Sequence, residues 1–340
     1  MLKDYVRLYL ERHSSAHLKR YTKGCLKEGS ISTFIAGHSG LVGSAIVRSA
    51  PIDTKLVVAT RSDLDLEISQ DVVRFFERNS VDTVVLAAAK VGGIGANSQN
   101  QMDFLLNNLK IQNSVIEAAV KLKIPNFVFL GSSCVYPKLA KQPIIESSIL
   151  SGLLEPTNEG YAIAKIAGIR LCKAVFDESN LNYFTLMPTN LYGPNDNFDL
   201  ELGHVPAALM RKFHEAKVSN QAEVFVWGSG TPRREFMHVD DLAGAVWHML
   251  KQNIGGELVN IGTGEDVSIS EFAHIMAKVV GYNGQIFFDS KQPDGTPRKL
   301  LDVRKAHSLG WRHKIELFDG LSGTYRWFEE SLTSGDVRGY

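Results

Sequence analysis

The sequence predicts an α/β protein built on a doubly wound parallel sheet, with a smaller mixed α/β domain beside it. Short apolar segments alternate with longer amphipathic segments in the first half of the chain, which is typical of parallel strands joined by helices. The strand segments are apolar throughout, as expected where helices cover both faces of a sheet. After Tyr192 the alternation becomes less regular, which indicates a second unit packed on the first.

In the first half the apolar segment 31–36 is the first strand, and a glycine-rich turn separates it from a helix at 41–49. Further strands are predicted at 56–60, 83–89, 126–130 and 183–187, and further helices at 71–78, 107–121 and 161–175. Helical connections of this kind return the chain to the same edge of the sheet, so the strands are expected to be parallel.

A polar loop at 194–201 opens the second half. Helices are predicted at 206–216, 240–251, 268–280 and 316–330, and strands at 223–227, 258–261 and 286–288. No internal repeat or low-complexity linker occurs. We therefore predict an extension at 1–30, a first domain at 31–192, a second domain at 193–332 with segments that return to the first sheet, and a tail at 333–340.

The composition limits the class of protein. The 340 residues include 37 Lys or Arg and 37 Asp or Glu, so the formal net charge is zero. This length corresponds to about two domains at roughly 150 residues each. With 44% hydrophobic and 22% charged residues, the chain is globular, and collagen, coiled-coil and disordered compositions are excluded. The balanced charge also argues against a nucleic-acid partner, because no positive field attracts phosphates.

The three cysteines, Cys25, Cys134 and Cys172, are odd in number and form no Cys-x-x-Cys pair. Neither a disulfide framework nor a structural metal site is therefore expected. The longest apolar runs, such as 84–89, are too short to span a bilayer. These observations favour a reduced, cytoplasmic setting without a membrane partner.

The first thirty residues are basic and lack a long apolar run, which argues against a secretory signal peptide. We favour a solvated helical extension there, with a mitochondrial presequence as the alternative.

Gly37, Gly40 and Gly43 form a G-x-x-G-x-x-G loop between a strand and a helix. In that context glycines let the backbone approach a pyrophosphate, and the helix N-terminus supplies N–H donors. The sequence therefore predicts a dinucleotide site that also includes Ser39, Leu41 and Val42.

The end of the second predicted strand discriminates between cofactors. An acidic residue there favours NAD, whereas Arg suits the 2′-phosphate of NADP. The strand ends in Ala59-Thr60-Arg61-Ser62 with no acidic residue. Arg61 can pair with a phosphate through two N–H groups, so we predict NADP(H), with Asp63 near the adenine.

Tyr161 and Lys165 form a Y-x-x-x-K motif, which places both side chains on one face of a helix. A neighbouring ammonium favours the phenolate and makes Tyr a competent acid or base. The strand before this helix ends in Leu130-Gly131-Ser132-Ser133. Ser132 and Tyr161 are therefore expected to share a carbonyl oxygen of a ketone that receives a hydride.

These motifs together resemble the extended short-chain dehydrogenases/reductases, which have a Rossmann fold. Longer blocks resemble the GDP-L-fucose synthase family more narrowly; they lie at 87–94, 131–138, 155–158, 187–194, 227–232 and 293–299. The blocks run in order from about Ser32 to Phe328 and leave only the N-terminal extension uncovered.

The resemblance implies a double reaction on GDP-4-keto-6-deoxy-D-mannose, with epimerisation at C3 and C5 followed by NADPH-dependent reduction at C4. It implies that Cys134 and His204 are the acid and base of epimerisation, and that Ser132, Tyr161 and Lys165 carry out the reduction. Additional cofactor contacts are implied at Leu130, Ser132, Lys165, Pro188, Asn190, Leu191 and His204. Substrate contacts are implied at Lys212, Trp227, Arg234, Asp294 and Lys299.

Two positions depart from the family. Many members have Arg where this chain has Ser39, and a second common Arg is replaced by Lys212. Lys keeps the charge but loses the two-pronged geometry of a guanidinium. We therefore expect a softer preference for NADP and an altered diphosphate contact.

Two other functions remain as alternatives: a different sugar-nucleotide epimerase or reductase of the same fold, and a non-catalytic dinucleotide sensor. The run Ser132-Ser133-Cys134 carries no carboxyl group, which disfavours a dehydratase. The resemblance further implies a homodimer formed through the helices predicted at 107–121 and 161–175.

Overall fold

The computed structural model describes residues 31–292 and 294–340. The predicted extension at 1–30, with Cys25, lies outside the described residues. The strands are β1 Ser32–Ala36, β2 Lys55–Val57, β3 Thr83–Leu86, β4 Asn126–Leu130, β5 Asn182–Pro188, β6 Asn190–Tyr192, β7 Glu223–Trp227, β8 Arg233–Arg234, β9 Phe236–His238, β10 Leu258–Ile261, β11 Val267–Ser268, β12 Gln285–Asp289 and β13 Arg298–Lys299. The helices are α1 Leu41–Arg48, α2 Ser69–Asn79, α3 Ile94–Gln99, α4 Gln101–Lys121, α5 Glu159–Ser179, α6 Val205–Val218, α7 Val239–Met249, α8 Ile269–Val280, α9 Arg304–Ser308 and α10 Leu317–Ser334.

Six strands form the central sheet in the order β2-β1-β3-β4-β5-β10. All neighbouring pairs are parallel, so the predicted doubly wound parallel sheet is confirmed. The chain moves outward to β2 and then returns past β1 to β3, which creates a topological switch point between β1 and β3. In open parallel sheets, ligands bind outside the carboxyl ends of the strands at this point.

Alternating side chains along each strand fill the cores on the two faces of the sheet. Phe127 and Phe129 of β4 pack in one core with residues of α2, α4 and α5. Val128 and Leu130 of the same strand pack in the other core, with residues of α1 and α7. Both faces are therefore covered by packed side chains, which explains why these strands are mostly apolar.

A third core belongs to the second half of the chain. It joins α6, α8 and α10 around Phe213, Phe272 and Phe328, each fully buried. The parallel pair β7 and β12 packs against it through Val224 and Val226. Strand β10 lies instead in the central sheet, beside β5. The domain boundaries at 192/193 and 332/333 stay predictions.

Local side-chain chemistry moves several predicted boundaries. Strand β2 ends at Val57 rather than at 60, because Thr60 begins a turn in which its N–H and hydroxyl donate to the Asp63 carboxylate. Helix α4 begins at Gln101, six residues before the predicted start. The short strands β6, β8, β9, β11 and β13 and the short helices α3 and α9 were not predicted, because two to six residues are too few to show a periodicity.

Among the described residues, no helix is both long enough and apolar enough to cross a membrane.

Candidate active site

The glycine loop connects β1 to α1 beside the switch point of the sheet. Gly37 has a φ of +85°, a backbone conformation that favours glycine. A Cβ on Gly43 would lie 2.0 Å from the Gly37 carbonyl oxygen, so Gly43 is required for the helix to approach the loop. A Cβ on Gly40 would meet nothing closer than 3.6 Å. Gly40 therefore leaves open space above the loop, where a ligand backbone or phosphate has room.

The N-terminus of α1 fits an anion. Gly40 is the N-cap residue, and no side chain caps the helix. Its first N–H groups are therefore not satisfied within the helix, and the helix dipole favours negative charge at this end. Together with the open space at Gly40, these donors fit the pyrophosphate of a dinucleotide. Ser39, Leu41 and Val42 lie in this loop as predicted, and Ser39 is exposed.

The turn after β2 carries an exposed cation, and the carboxylate in the same turn is already hydrogen-bonded. The Arg61 side chain is 87% exposed, and its nearest carboxylate, that of Glu67, is 3.6 Å away. Asp63 accepts from Thr60 within the turn, which occupies the carboxylate that the sequence placed near an adenine. His38 lies beside this turn with its buried Nδ1 unpartnered, and burial lowers its pKa.

Tyr161 and Lys165 lie on α5, which runs past the carboxyl end of β4. The buried Lys165 Nζ donates to the carbonyl of Leu130 at 2.8 Å and lies 5.9 Å from the centre of the Tyr161 ring. Burial lowers the pKa of Lys165 to about 8. Burial also raises the Tyr161 pKa, and the charge of Cys134 adds to this, while a hydrogen bond with Ser132 acts in the opposite direction.

The expectation of a favoured Tyr161 phenolate is therefore wrong for this structure. Desolvation of the phenol outweighs any help from Lys165, whose ammonium donates to a carbonyl instead of to the phenol oxygen. Tyr161 stays protonated around neutral pH, which is the form that can donate a proton.

Shortly after β4 a 3-10 turn spans Ser133–Val135, and Ser132 is its N-cap residue. The backbone N–H of Cys134 donates to the Ser132 Oγ at 3.3 Å, which orients the Ser132 hydroxyl, and both residues interact with Tyr161. The Cys134 Sγ lies 3.8 Å from the Lys299 Nζ. Strand β13 therefore brings a predicted substrate residue against a predicted acid or base.

His204 is the N-cap residue of α6. Its Nδ1 lies 3.8 Å from the carboxylate of the buried Asp196, and its side chain is 43% exposed. Burial by itself would lower the His204 pKa, but the hydrogen bond and charge of Asp196 outweigh it and raise the pKa. The loop before His204 contacts the turn after β3, where the Gly93 N–H donates to the Leu202 carbonyl at 3.1 Å.

Strands β8 and β13 place two of the predicted substrate cations together, because Arg234 and Lys299 are register partners in this parallel pair. Burial lowers the pKa of Arg234, which also interacts with the charges of Cys134, Asp294 and Glu155. Asp294 accepts from the N–H and hydroxyl of Ser229 at 2.7 and 2.8 Å.

Trp227, at the end of β7 before Ser229, is 58% exposed and is therefore free to contact a ligand. Lys212 on α6 donates to the carbonyl of Phe225 in the same strand at 2.9 Å. Both side chains therefore lie along β7, beside the loop that Asp294 holds.

The segment after β5 is hydrogen-bonded to Glu235, a residue that the sequence analysis did not single out. The Thr189 hydroxyl and the Asn190 side-chain amide donate to the backbone carbonyl of Glu235 at 3.1 and 2.8 Å. The fully buried Glu235 carboxylate accepts from the N–H groups of Gly264 and Leu301. The predicted cofactor residues Pro188, Asn190 and Leu191 therefore have positions fixed relative to β8 and β13. Asp240 and Asp241 lie in the first turn of α7, and His238 is its N-cap.

A cavity of about 390 Å³ elsewhere in the described residues is lined by Cys172, Tyr183, Leu258 and Lys305, among others, and by none of the predicted site residues. Its chemistry does not match that of the constellation around Tyr161. The described residues contain no cluster of potential metal ligands.

Residues 33–262 match the family described as the NAD dependent epimerase/dehydratase family. Over 304 residues the chain is 53% identical to the probable GDP-L-fucose synthase 1 of Oryza sativa subsp. japonica, covering 88% of this chain and 93% of that protein. Over 309 residues it is 52% identical to the GDP-L-fucose synthase of Escherichia coli (strain K12), covering 88% and 96%.

Two solved structures that contain NADP are also similar. A GDP-mannoheptose C4 reductase from Campylobacter jejuni has a TM-score of 0.80 and 37% identity, covering 88% of this chain and 98% of the other. A GDP-L-fucose synthetase from Naegleria fowleri has a TM-score of 0.82 and 26% identity, covering 92% and 98%.

Proposed function

The chain belongs to the NAD dependent epimerase/dehydratase family and, within it, to the GDP-L-fucose synthases, and from this premise we propose that it converts GDP-4-keto-6-deoxy-D-mannose to GDP-L-fucose. It is an NADP-dependent oxidoreductase that also acts as an epimerase. The proposal rests mainly on one observation: residues suited to reduction and a residue suited to epimerisation lie side by side at the end of β4. Ser132, Tyr161 and Lys165 suit a ketone reduction, and Cys134 stands beside them with a cation at its thiol.

NADP(H) is the cofactor, and the loop Gly37–Gly43 with the N-terminus of α1 would hold its pyrophosphate. Arg61 would face the 2′-phosphate, because its guanidinium is exposed and only loosely paired. When bound, NADPH supplies the hydride for C4. Lys165, already fixed by the Leu130 carbonyl, would hold the nicotinamide ribose.

Epimerisation requires proton transfer at C3 and C5, the two carbons next to the C4 ketone. A base removes a proton from one face of the carbon, and an acid delivers a proton to the other face. Cys134 and His204 are the titratable groups assigned to this pair. Asp196 favours the protonated form of His204, which supports His204 as the proton donor and Cys134 as the base.

Reduction requires a proton donor at the C4 oxygen. Tyr161 is suited to this role because its raised pKa keeps the hydroxyl protonated. Ser132, which hydrogen-bonds with Tyr161, would bind the same oxygen. The diphosphate and sugar would then lie along Arg234 and Trp227, on the side of the second half of the chain.

Adding GDP-4-keto-6-deoxy-D-mannose to the enzyme with NADPH tests this function. We expect loss of NADPH absorbance and a product whose proton NMR couplings are those of the L-galacto configuration. A 6-deoxy product that keeps the original configuration at C3 and C5 would instead identify a C4 reductase, as the similar C. jejuni protein is. NADPH binding without turnover would indicate a sensor.

The Ser39→Arg variant should bind NADPH about tenfold more tightly, a gain of roughly 1.4 kcal/mol, and should bind NADH unchanged. A guanidinium in the exposed loop adds a second charged donor for the 2′-phosphate. Fluorescence titration with both cofactors measures this effect. Ser39→Gln, which is polar but uncharged, is the control, and an equal gain for NADH would contradict the interpretation.

The Asp196→Asn variant should titrate His204 at lower pH than the wild type. In the wild type Asp196 raises the His204 pKa above its ordinary value near 6.5, and without that carboxylate burial lowers it. The ion pair stabilises the fold below about pH 6.5 and is lost as the pH rises through the raised pKa. NMR titration of the histidine ring protons measures the shift. Glu201→Gln, an exposed carboxylate of the same loop, should leave it unchanged.

We also infer a homodimer. Helices α4 and α5 pack against each other and expose Met102, Leu106 and Ile163 at 77%, 47% and 44%. Apolar residues clustered on the outer face of a helix pair support an interface with a second copy. Light scattering should give twice the mass of one chain, and Ile163→Arg should shift the mass toward the monomer.

A cytoplasmic location is inferred as well, since the proposed role of Cys134 needs a reduced thiol.

A further inference from the structure

The ammonium of Lys299 has an unusual partner. Its Nζ lies 3.8 Å from the Cys134 Sγ, and no carboxylate of the described residues lies within ion-pair distance of it. The side chain is partly buried, so water screens this contact less than it would at the surface. An unpaired cation beside a thiol favours the thiolate form.

Hydrogen bonds made by the residues before and after Lys299 hold its backbone in this position. The preceding residue, Arg298, donates to the Asp266 carboxylate at 2.5 Å, which directs that cation away from the thiol. The following N–H groups, of Leu300 and Leu301, donate to Gln142 and to the buried Glu235 at 2.9 and 3.0 Å. Lys299 therefore has a fixed backbone, and of the two adjacent cations only Lys299 contacts Cys134.

The other charged and titratable groups around the thiol do not replace Lys299. Arg234 interacts with the charge of Cys134 from β8, and Tyr161 does so from α5. In the loop before α5, Glu155 is paired with Lys138 at 3.1 Å. Asp294 is held by Ser229. The nearby carboxylates are thus engaged elsewhere, and Lys299 is the cation in direct contact with the sulfur among the described residues.

We propose that Lys299 is a positioning residue that holds Cys134 as a thiolate for proton abstraction, and that contact with the diphosphate is not its main role. The inference rests on the proposed function. In each epimerisation the thiolate takes the proton from carbon and becomes a thiol. Its proton then passes to water, which regenerates the thiolate, while Lys299 keeps its own proton throughout.

The test measures the rate of Cys134 alkylation by iodoacetamide against pH, with peptide-resolved mass spectrometry and without substrate. In Lys299→Met the midpoint of this curve should rise by about one pH unit or more, the size expected from losing one adjacent charge. Lys299→Arg should restore most of the wild-type curve. Lys138→Met, which removes a cation that is paired with Glu155, should leave the curve in place. Buried Cys172, whose pKa is raised by burial, serves as the unreactive internal reference.

Steady-state kinetics completes the test. Lys299→Met should lower the rate of deuterium entry at C3 and C5 at neutral pH, with partial recovery at higher pH, and should change the KM for the GDP-sugar little. An unchanged alkylation curve combined with a raised KM would overturn the proposal and leave Lys299 as a substrate-binding residue. If Lys299→Met does not fold, Lys299→Gln gives the same readout. The alkylation result does not depend on turnover, so failure of the proposed substrate would not be mistaken for failure of this inference.

Discussion

Replacing Tyr161 with Phe should lower the rate of NADPH oxidation by about 10²- to 10⁴-fold, the range for loss of a general acid. The change removes one oxygen from a side chain that hydrogen-bonds with Ser132 beside the end of β4. Deuterium should still enter C3 and C5 of the ketosugar, because that exchange uses Cys134 and His204 and not the phenol. Stopped assays that read NADPH absorbance and NMR deuterium content in the same sample separate the two steps.

Tyr183→Phe is the matched control. The Tyr183 hydroxyl is fully buried and has no hydrogen-bond partner among the described residues, and it lies near the start of β5, away from the site. Removing an unsatisfied buried hydroxyl should be neutral or slightly stabilising. Equal loss of reduction in both variants would show that Tyr161 acts through packing and not as the proton donor.

The second large effect is expected from Gly43→Ala. A Cβ at this position would lie 2.0 Å from the Gly37 carbonyl oxygen and 2.8 Å from the His38 Cα. The neighbours are backbone atoms of the loop itself and have no side chain to rotate away. The free energy of unfolding should fall by at least about 1–3 kcal/mol, and NADPH binding should weaken by about tenfold or more. Thermal unfolding and NADPH fluorescence titration measure the two effects.

Gly244→Ala provides the comparison for this variant. Gly244 lies within α7, and a Cβ there would meet no atom within 4 Å. The same substitution should therefore stabilise the protein by up to about 1 kcal/mol, since Ala is the better helix former. If Gly43→Ala bound NADPH as well as Gly244→Ala, the packing of α1 on its loop would not be what shapes the cofactor site.

The central sheet could be predicted because the pattern that indicates it, a short apolar segment followed by a longer amphipathic one, is local and repeats along the chain. Strand β4 was predicted with both ends correct, since four consecutive apolar residues follow Asn126, and the segment is bounded by Pro125 and by Gly131. The glycine loop could be predicted because the two constraints on it, close backbone contact and an uncapped helix, act within seven residues. The end of β2 could not be predicted, because Thr60 and Asp63 terminate the strand through side-chain hydrogen bonds that compete with strand pairing.

The parts of the site that escaped prediction depend on contacts between distant segments. Glu235 joins the segment after β5 to the loop after β10 and to Leu301, and its sequence neighbours give no sign of this. Asp196 acts on His204 from a loop eight residues earlier, and the Lys299–Cys134 contact spans 165 residues. Only β13, a strand of two residues paired with β8, creates that contact.

The most direct test of the double reaction uses heavy water. Enzyme, NADPH and GDP-4-keto-6-deoxy-D-mannose are mixed in D₂O, NADPH absorbance is followed to completion, and deuterium is located in the product by NMR. The proposed function predicts stoichiometric NADPH loss with solvent deuterium at both C3 and C5. NADPH loss with no deuterium at either carbon would contradict it, because the same site would then reduce the ketone without any proton transfer by Cys134 and His204.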